Sequence, residues 1–150
     1  SEIGASFGLV QLKKFNNFSK IRVKNFNAHK SFFKNYKELF ITPRIFEKVK
    51  TNFLAYPIII RENNYFSRKD LQIYLEKNNI QTRPIFSGNI LRHPAFIRLL
   101  SSRNKLNSFK NSDYIMSNGI LIGCHQGLNV KQMVYLHQKL KFFLDKVLRK

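Results

Sequence analysis

Arg83 precedes Pro84, a Ser87-Gly88-Asn89 turn follows, and Arg92-His93-Pro94 closes a stretch that begins at Ile80. An arginine can clamp a carboxylate or a phosphate through two parallel hydrogen bonds. The amides and side chains of a Ser-Gly-Asn turn can bind a polar ligand. If Ile80 to Phe86 is a strand, Gln81, Arg83 and Ile85 share one face, while Thr82, Pro84 and Phe86 share the other. Pro84 has no N–H to give to a ladder, so it marks an edge or a strand end. Arg83 then lies at the margin of a sheet. A solvated arginine beside a plain turn would give the same pattern, and the residues leave both readings open.

A second pair with chemical potential is Cys124-His125. Neighbours on a strand point to opposite faces, so the thiol and the imidazole cannot easily share a proton. Cys124 therefore reads as a small core residue. It is the single cysteine, which excludes an internal disulfide and any Cys-x-x-Cys metal cluster. There is no Gly-rich phosphate loop, no Gly-x-Ser-x-Gly elbow and no His-Glu-x-x-His. The 8 acidic residues form no obvious pair on one helix face. A single cysteine is consistent with a cytoplasmic location.

The net charge of +19 raises the question of an anionic partner: nucleic acid, an anionic membrane surface or a phosphorylated substrate. The lysines are scattered, however, and form neither a block nor a helix stripe. Together with abundant Asn, Ile and Phe, they fit compositional drift. Charge alone does not make the chain a nucleic-acid binder. A basic binding module and a non-catalytic dimerisation module stand as alternatives to an enzyme.

The elements that must position these residues follow from periodicity. The 150 residues suit one ordinary domain, and 43% hydrophobic content with 15 Phe can build a core. Residues 2–14 read as a short helix with Ile3, Phe7 and Val10 on one side, broken at Asn16-Asn17. A second helix is expected over about 18–38, where Phe18, Ile21, Phe26, His29, Phe32, Phe33 and Tyr36 recur at helical spacing. Thr42-Pro43 ends it. Residues 53–61 read as a buried strand. Ser67 with Asp70 signals a capped helix over 68–77, stopped by Asn78-Asn79. Residues 80–86 form the next strand. A loop with room for a short helix runs to about Asn118. Residues 119–124 form the third strand, and Asn129 caps a last helix bearing Met133, Leu136, Leu140, Phe143 and Leu144. The order is two helices, then β-α-β-loop-β-α, an α+β arrangement. Phe7, Phe26, Phe32 and Phe33 need a surface to bury against and are an aggregation liability without one. No apolar run is long enough to span a bilayer.

Three segments, in order, resemble one family. IQTRPIFSGNILRHPAF and DYIMSNGILIGCHQGL look like the C-terminal part of the DegT/DnrJ/EryC1/StrS family, and SEIGASFGLVQLKKFNNFSKIRVKNF resembles the segment after its Gly-Tyr-Asn motif. The family comprises pyridoxal-phosphate (PLP) sugar aminotransferases and dehydratase relatives. The Thr-Arg and Ser-Gly-Asn pattern is most similar to the nucleotide-hexulose 3-dehydratase branch. Many family aminotransferases carry His-Tyr-x-Pro where this chain has Arg83-Pro84-Ile85-Phe86, which puts ordinary transamination in doubt and favours a dehydratase or a divergent aminotransferase.

The resemblance implies a type I PLP-enzyme fold, of which this chain would be a C-terminal fragment. Residues 1–45 would be connector helices and 46–150 the small domain. The absent Met fits a fragment, a mature product or an engineered piece. The Schiff-base lysine, or the histidine that replaces it in some dehydratases, would lie in a large domain that this chain lacks. So would the acidic partner of the pyridine nitrogen. By motif, Arg83, Ser87, Gly88, Asn89, Arg92 and His93 would line or support one wall of a nucleotide-sugar pocket, with His125 a weaker member. Arg83 would meet a substrate oxygen or phosphate, and Asn89 would fix the turn or a sugar hydroxyl. Ser1 and Glu2 would lie near a neighbouring subunit's cofactor phosphate in a homodimer. The products would feed lipopolysaccharide or other surface glycans.

Overall fold

The computed structural model describes residues 1–97 and 108–149. It begins with one helix, α1 (Glu2–Phe33), not two. Asn16 and Asn17 do not break it. An asparagine costs a helix interior only about 0.5–0.7 kcal/mol relative to alanine, and the segment holds no proline. A short 3-10 turn, Lys34–Tyr36, closes the helical region earlier than the spacing suggests. A two-residue strand follows, β1 (Phe40–Ile41), with no counterpart in the periodicity. The order continues with β2 (Ala55–Ile60), α2 (Arg68–Lys77), β3 (Thr82–Pro84), a 3-10 turn (Ile90–Arg92), α3 (Pro94–Ile97), α4 (Lys110–Asn118), β4 (Gly119–Gly123) and α5 (Val130–Leu148); α3 and α4 stand where a loop with one short helix was expected. The strands are shorter than their apolar runs. The loop expected up to Asn118 lies partly outside the described residues.

The four strands form an antiparallel sheet in the order β1-β2-β4-β3. The β2-α2-β3 crossover leaves room for β4 between its two strands, a split β-α-β arrangement. β3 is an edge, as Pro84 requires.

Alternation decides which face is buried. Tyr56, Ile58 and Ile60 of β2, with Ile120 and Ile122 of β4, are fully buried. They pack with Leu71 and Leu75 of α2, with Leu136, Leu140, Phe143 and Leu144 of α5, and with Phe26 and Phe33 of α1. Each such side chain contributes about 1.5–3 kcal/mol on burial. Phe26 and Phe33 are thus core residues and Phe32 packs against the core, contrary to the expectation that all four connector phenylalanines lack a partner surface. Phe7 remains exposed.

The caps are those the sequence encodes. Ser67 and Asp70 form a capping box at α2, and Asn129 with Gln132 forms one at α5. Glu76 adds a tie that no local pattern announces: its Oε1 accepts from the Thr82 amide at 2.6 Å and from the Thr82 hydroxyl at 2.8 Å, fastening α2 to the start of β3.

Candidate functional site

Arg83 sits on edge strand β3, opposite Leu121 of β4. Its register puts it on the face away from the helices, because Thr82 beside it is buried. Among the described residues its guanidinium makes no hydrogen bond or ion pair. It lines a cavity of about 430 Å³ that includes Gln81, Leu121, His125, Gln132 and Tyr135. Among the described residues Arg83 is the only Lys, Arg, Asp or Glu in that lining. A lone, unpaired guanidinium beside amide and imidazole groups over an apolar floor is suited to an anionic group attached to a less polar body. Gln132 and Tyr135 were not expected here. Nothing in the sequence singled out Gln132, and Tyr135 lies off the apolar stripe of α5.

The structure brings His125 to this cavity by means of α1. Asn25, buried, donates from Nδ2 to the carbonyls of His125 (3.1 Å) and Leu128 (3.2 Å). Arg22 Nε donates to Gln126 Oε1 at 2.8 Å. The fully buried His29 binds the Gly123 carbonyl through Nε2 at 2.9 Å and His137 Nε2 through Nδ1 at 3.0 Å. A carbonyl only accepts, so His29 carries its proton on Nε2, and His137 donates to Nδ1. Burial pushes His29 down to about 4 against the pull of the Gly123 carbonyl, and His137 lowers it further. Burial also lowers His137 to about 4. The pair is therefore neutral at physiological pH and acts as a clamp. His125 itself accepts from the Gly127 amide through Nδ1. Cys124 is buried, and desolvation raises its thiol to about 11, so it is a core residue and an inert thiol.

Ser87, Gly88, Asn89, Arg92 and His93 do not line the Arg83 cavity. They form a braced loop next to α4. Asn89 is buried; its Oδ1 caps the Leu91 amide and its Nδ2 donates to Asp113 Oδ1 at 2.8 Å. Arg92 binds the same carboxylate through Nε and Nη2 at 2.9 and 2.5 Å. The Arg92 guanidinium, then Asn89, holds the Asp113 carboxyl down at about 2. His93 Nε2 is 2.8 Å from the Ser87 carbonyl. Gly88 has φ 62°, and a Cβ there would lie 2.5 Å from Met116 Cβ. Only glycine meets both demands. Asn89 fixes the turn. Arg92 is engaged by Asp113, a partner in α4 that the sequence reading did not single out.

The whole chain can be compared with known proteins. A family model described as the DegT/DnrJ/EryC1/StrS aminotransferase family matches residues 1–141. The chain belongs to this family. It is 28% identical over 143 residues to the lipopolysaccharide biosynthesis protein RfbH of Salmonella typhimurium, covering 95% of this chain and 32% of that protein. It is 28% identical to the GDP-4-keto-6-deoxy-D-mannose 3-dehydratase of Escherichia coli O55:H7, covering 93% of this chain and 35% of the relative. The chain thus spans about a third of the length of these curated relatives. The E. coli 3-dehydratase with bound hydrated PLP superposes with TM-score 0.73 at 25% identity, over 89% of this chain and 33% of that one. Helicobacter pylori PseC, an aminotransferase of pseudoaminic acid biosynthesis, gives TM-score 0.82 at 20% identity over 97% of this chain and 38% of its own, a likeness of fold.

Members of the family are PLP-dependent sugar aminotransferases and dehydratases, and the E. coli dehydratase holds the cofactor. The described residues do not form a binding site for it. No lysine among the described residues is buried, whereas a Schiff-base lysine needs a desolvated setting to lose its proton. Among the described residues the Arg83 cavity holds neither a lysine nor a carboxylate to face the pyridine nitrogen.

Proposed function

We propose that this chain is the small-domain portion of a PLP-dependent enzyme acting on a nucleotide-linked 4-keto-deoxysugar in surface-polysaccharide or lipopolysaccharide synthesis. Residues 1–45 connect it to a large domain that carries the cofactor, and residues 46–150 form one wall of the substrate pocket. Arg83 carries this reading. Its unpaired guanidinium on a sheet edge, beside His125, matches the anionic diphosphate of a nucleotide sugar. The braced loop of Ser87, Gly88, Asn89, Arg92 and His93 supports that wall. The intact protein works as a cytoplasmic homodimer.

Within this reading the 3-dehydratase branch is favoured over transamination. Arg83-Pro84-Ile85-Phe86 departs from His-Tyr-x-Pro, and three of the relatives are named as 3-dehydratases of GDP- or dTDP-linked sugars. The coding sequence upstream of Ser1 tests the assignment. It should encode a PLP domain with histidine, or lysine for an aminotransferase, at the Schiff-base position. A start codon immediately before Ser1 would overturn the reading. In the full-length enzyme Arg83→Ala should abolish sugar-nucleotide turnover, and wild-type kinetics would remove Arg83 from the site.

A further inference from the structure

Two of the polar side chains lining the Arg83 cavity are not free to choose their hydrogen-bonding roles. His125 accepts the Gly127 amide through Nδ1 at 3.1 Å. A backbone amide only donates, so Nδ1 carries no proton and the neutral ring bears its proton on Nε2. The ring sits between two glycines. A Cβ on Gly127 would lie 3.0 Å from Nδ1 and 3.1 Å from Cε1, whereas one on Gly123 would lie 3.6 Å from Cδ2 and 3.9 Å from Nε2. Gly123 lines the cavity and Gly127 does not. The Nε2 edge is therefore the edge on the cavity side, and Nε2 has no hydrogen-bond partner among the described residues.

Gln132 is committed in the same way. Its Oε1 accepts the Asn129 amide at 2.9 Å, as part of the capping box of α5. A side-chain amide whose oxygen is held by a donor presents its NH2 group, and that group also has no partner among the described residues. Tyr135 differs: its hydroxyl donates to the Asn78 carbonyl at 3.1 Å and gives no proton to the cavity.

We propose that His125 and Gln132 are specificity-determining residues of this cavity, which with Arg83 form a set of donors for the phosphate oxygens of the substrate. The assignment rests on the nucleotide-sugar reading above; it adds Gln132 to the site and gives His125 a defined atom. An ionised phosphate oxygen offers only lone pairs, so it is matched by N–H groups that cannot turn to present an acceptor. Arg83 supplies the charge. The two neutral donors discriminate, because a group bringing its own protons to the same place would leave them unpaired. Both donors are set by backbone amides between β4 and α5, those of Gly127 and Asn129.

The test is equilibrium binding of inorganic pyrophosphate and GDP to the full-length protein. Gln132→Glu keeps the cap acceptor in the first turn of α5, where a carboxylate is favoured, so the unfolding midpoint should not fall. It replaces the NH2 group by an oxygen and should weaken both ligands roughly ten-fold or more. Lys131→Gln makes the same change in net charge one residue away, outside the lining, and should alter affinity by no more than about two-fold. His125→Leu should weaken both ligands roughly ten-fold. His125→Gln, whose amide nitrogen can take the place of Nε2, should restore most of the affinity. Wild-type affinity in Gln132→Glu or His125→Leu overturns the donor set and leaves the nucleotide-sugar reading, which stands on Arg83, intact. So does a loss in Gln132→Glu no larger than that in Lys131→Gln, or a His125→Gln variant that binds no better than His125→Leu. A wild-type protein that binds neither ligand overturns the nucleotide-sugar reading together with the donor set.

Discussion

At Asp113 one carboxylate takes three hydrogen bonds from Asn89 and Arg92, across more than twenty residues of sequence. The two loop residues were legible as polar groups at a turn. Their common partner was not, because nothing local in the sequence links Asp113 to them. Asp113→Ala leaves the buried Asn89 amide without its acceptor and frees Arg92. The expected result is a lower urea midpoint. The same carboxyl carries a pH signature. Its folded value is depressed to about 2 from 3.8, so its contribution is present above pH 3.8 and is lost as pH falls toward 2. The Asp113→Ala variant should lack this acid-limb loss. A variant as stable as wild type would show that the loop does not depend on this brace. Arg83 is the opposite case. Its place on an edge beside Pro84 follows from the proline's missing N–H, and the structure puts it there.

Elements with a local signature were readable, and elements defined by a distant partner were not. α2 and α5 announce themselves through Ser67-Asp70 and Asn129, since a cap is a contact between residues three apart. β1 is two residues long and exists by pairing with Ile59 and Ile60. The clamp of α1 on the β4–α5 loop joins residues about a hundred positions apart, so His29 could be read only as a member of a helix face and Asn25 was not singled out at all. That clamp predicts an acid sensitivity. His29 and His137 are held neutral by burial, both near 4 against an ordinary 6.5. The unfolded chain binds more protons than the folded one below pH 6.5. Stability is therefore full above pH 6.5 and declines as pH falls toward 4. His137→Phe keeps a ring against Phe32, with which His137 stacks at 4.6 Å, and removes one of the two titrations. Its stability should fall less steeply between pH 6.5 and 4, as measured by chemical denaturation at a series of pH values. A slope equal to wild type would assign the acid response to other groups.

For the molecule as a whole, the long first helix is the open question, because its two halves live in different environments. The buried residues of α1 are Asn25, Phe26, His29 and Phe33, all in its C-terminal third. Nearer its start, Ile3 is 85% exposed, Phe7 68% and Leu12 69%, and a Cβ on Gly8 would meet nothing within 4 Å. A helix of 32 residues is about 48 Å long, longer than the sheet it packs against, so its first turns run past the core. An apolar stripe that is solvated on a folded protein favours association. The 150-residue chain should therefore self-associate as its concentration rises, visible as a concentration-dependent sedimentation coefficient. Phe7→Ser with Leu12→Ser should suppress this. The unfolding midpoint should stay near that of wild type, because neither side chain touches the core cluster. In a longer polypeptide with a large domain over this helix, the same two substitutions should instead lower stability, since there they would remove packed side chains at about 2–5 kcal/mol for a fully buried Leu or Phe. The sign of the stability change between the two polypeptides therefore reports whether the stripe is covered. A short chain that stays monomeric at high concentration, together with a longer chain unaffected by the substitutions, would show that the first turns of α1 are simply a solvated helix.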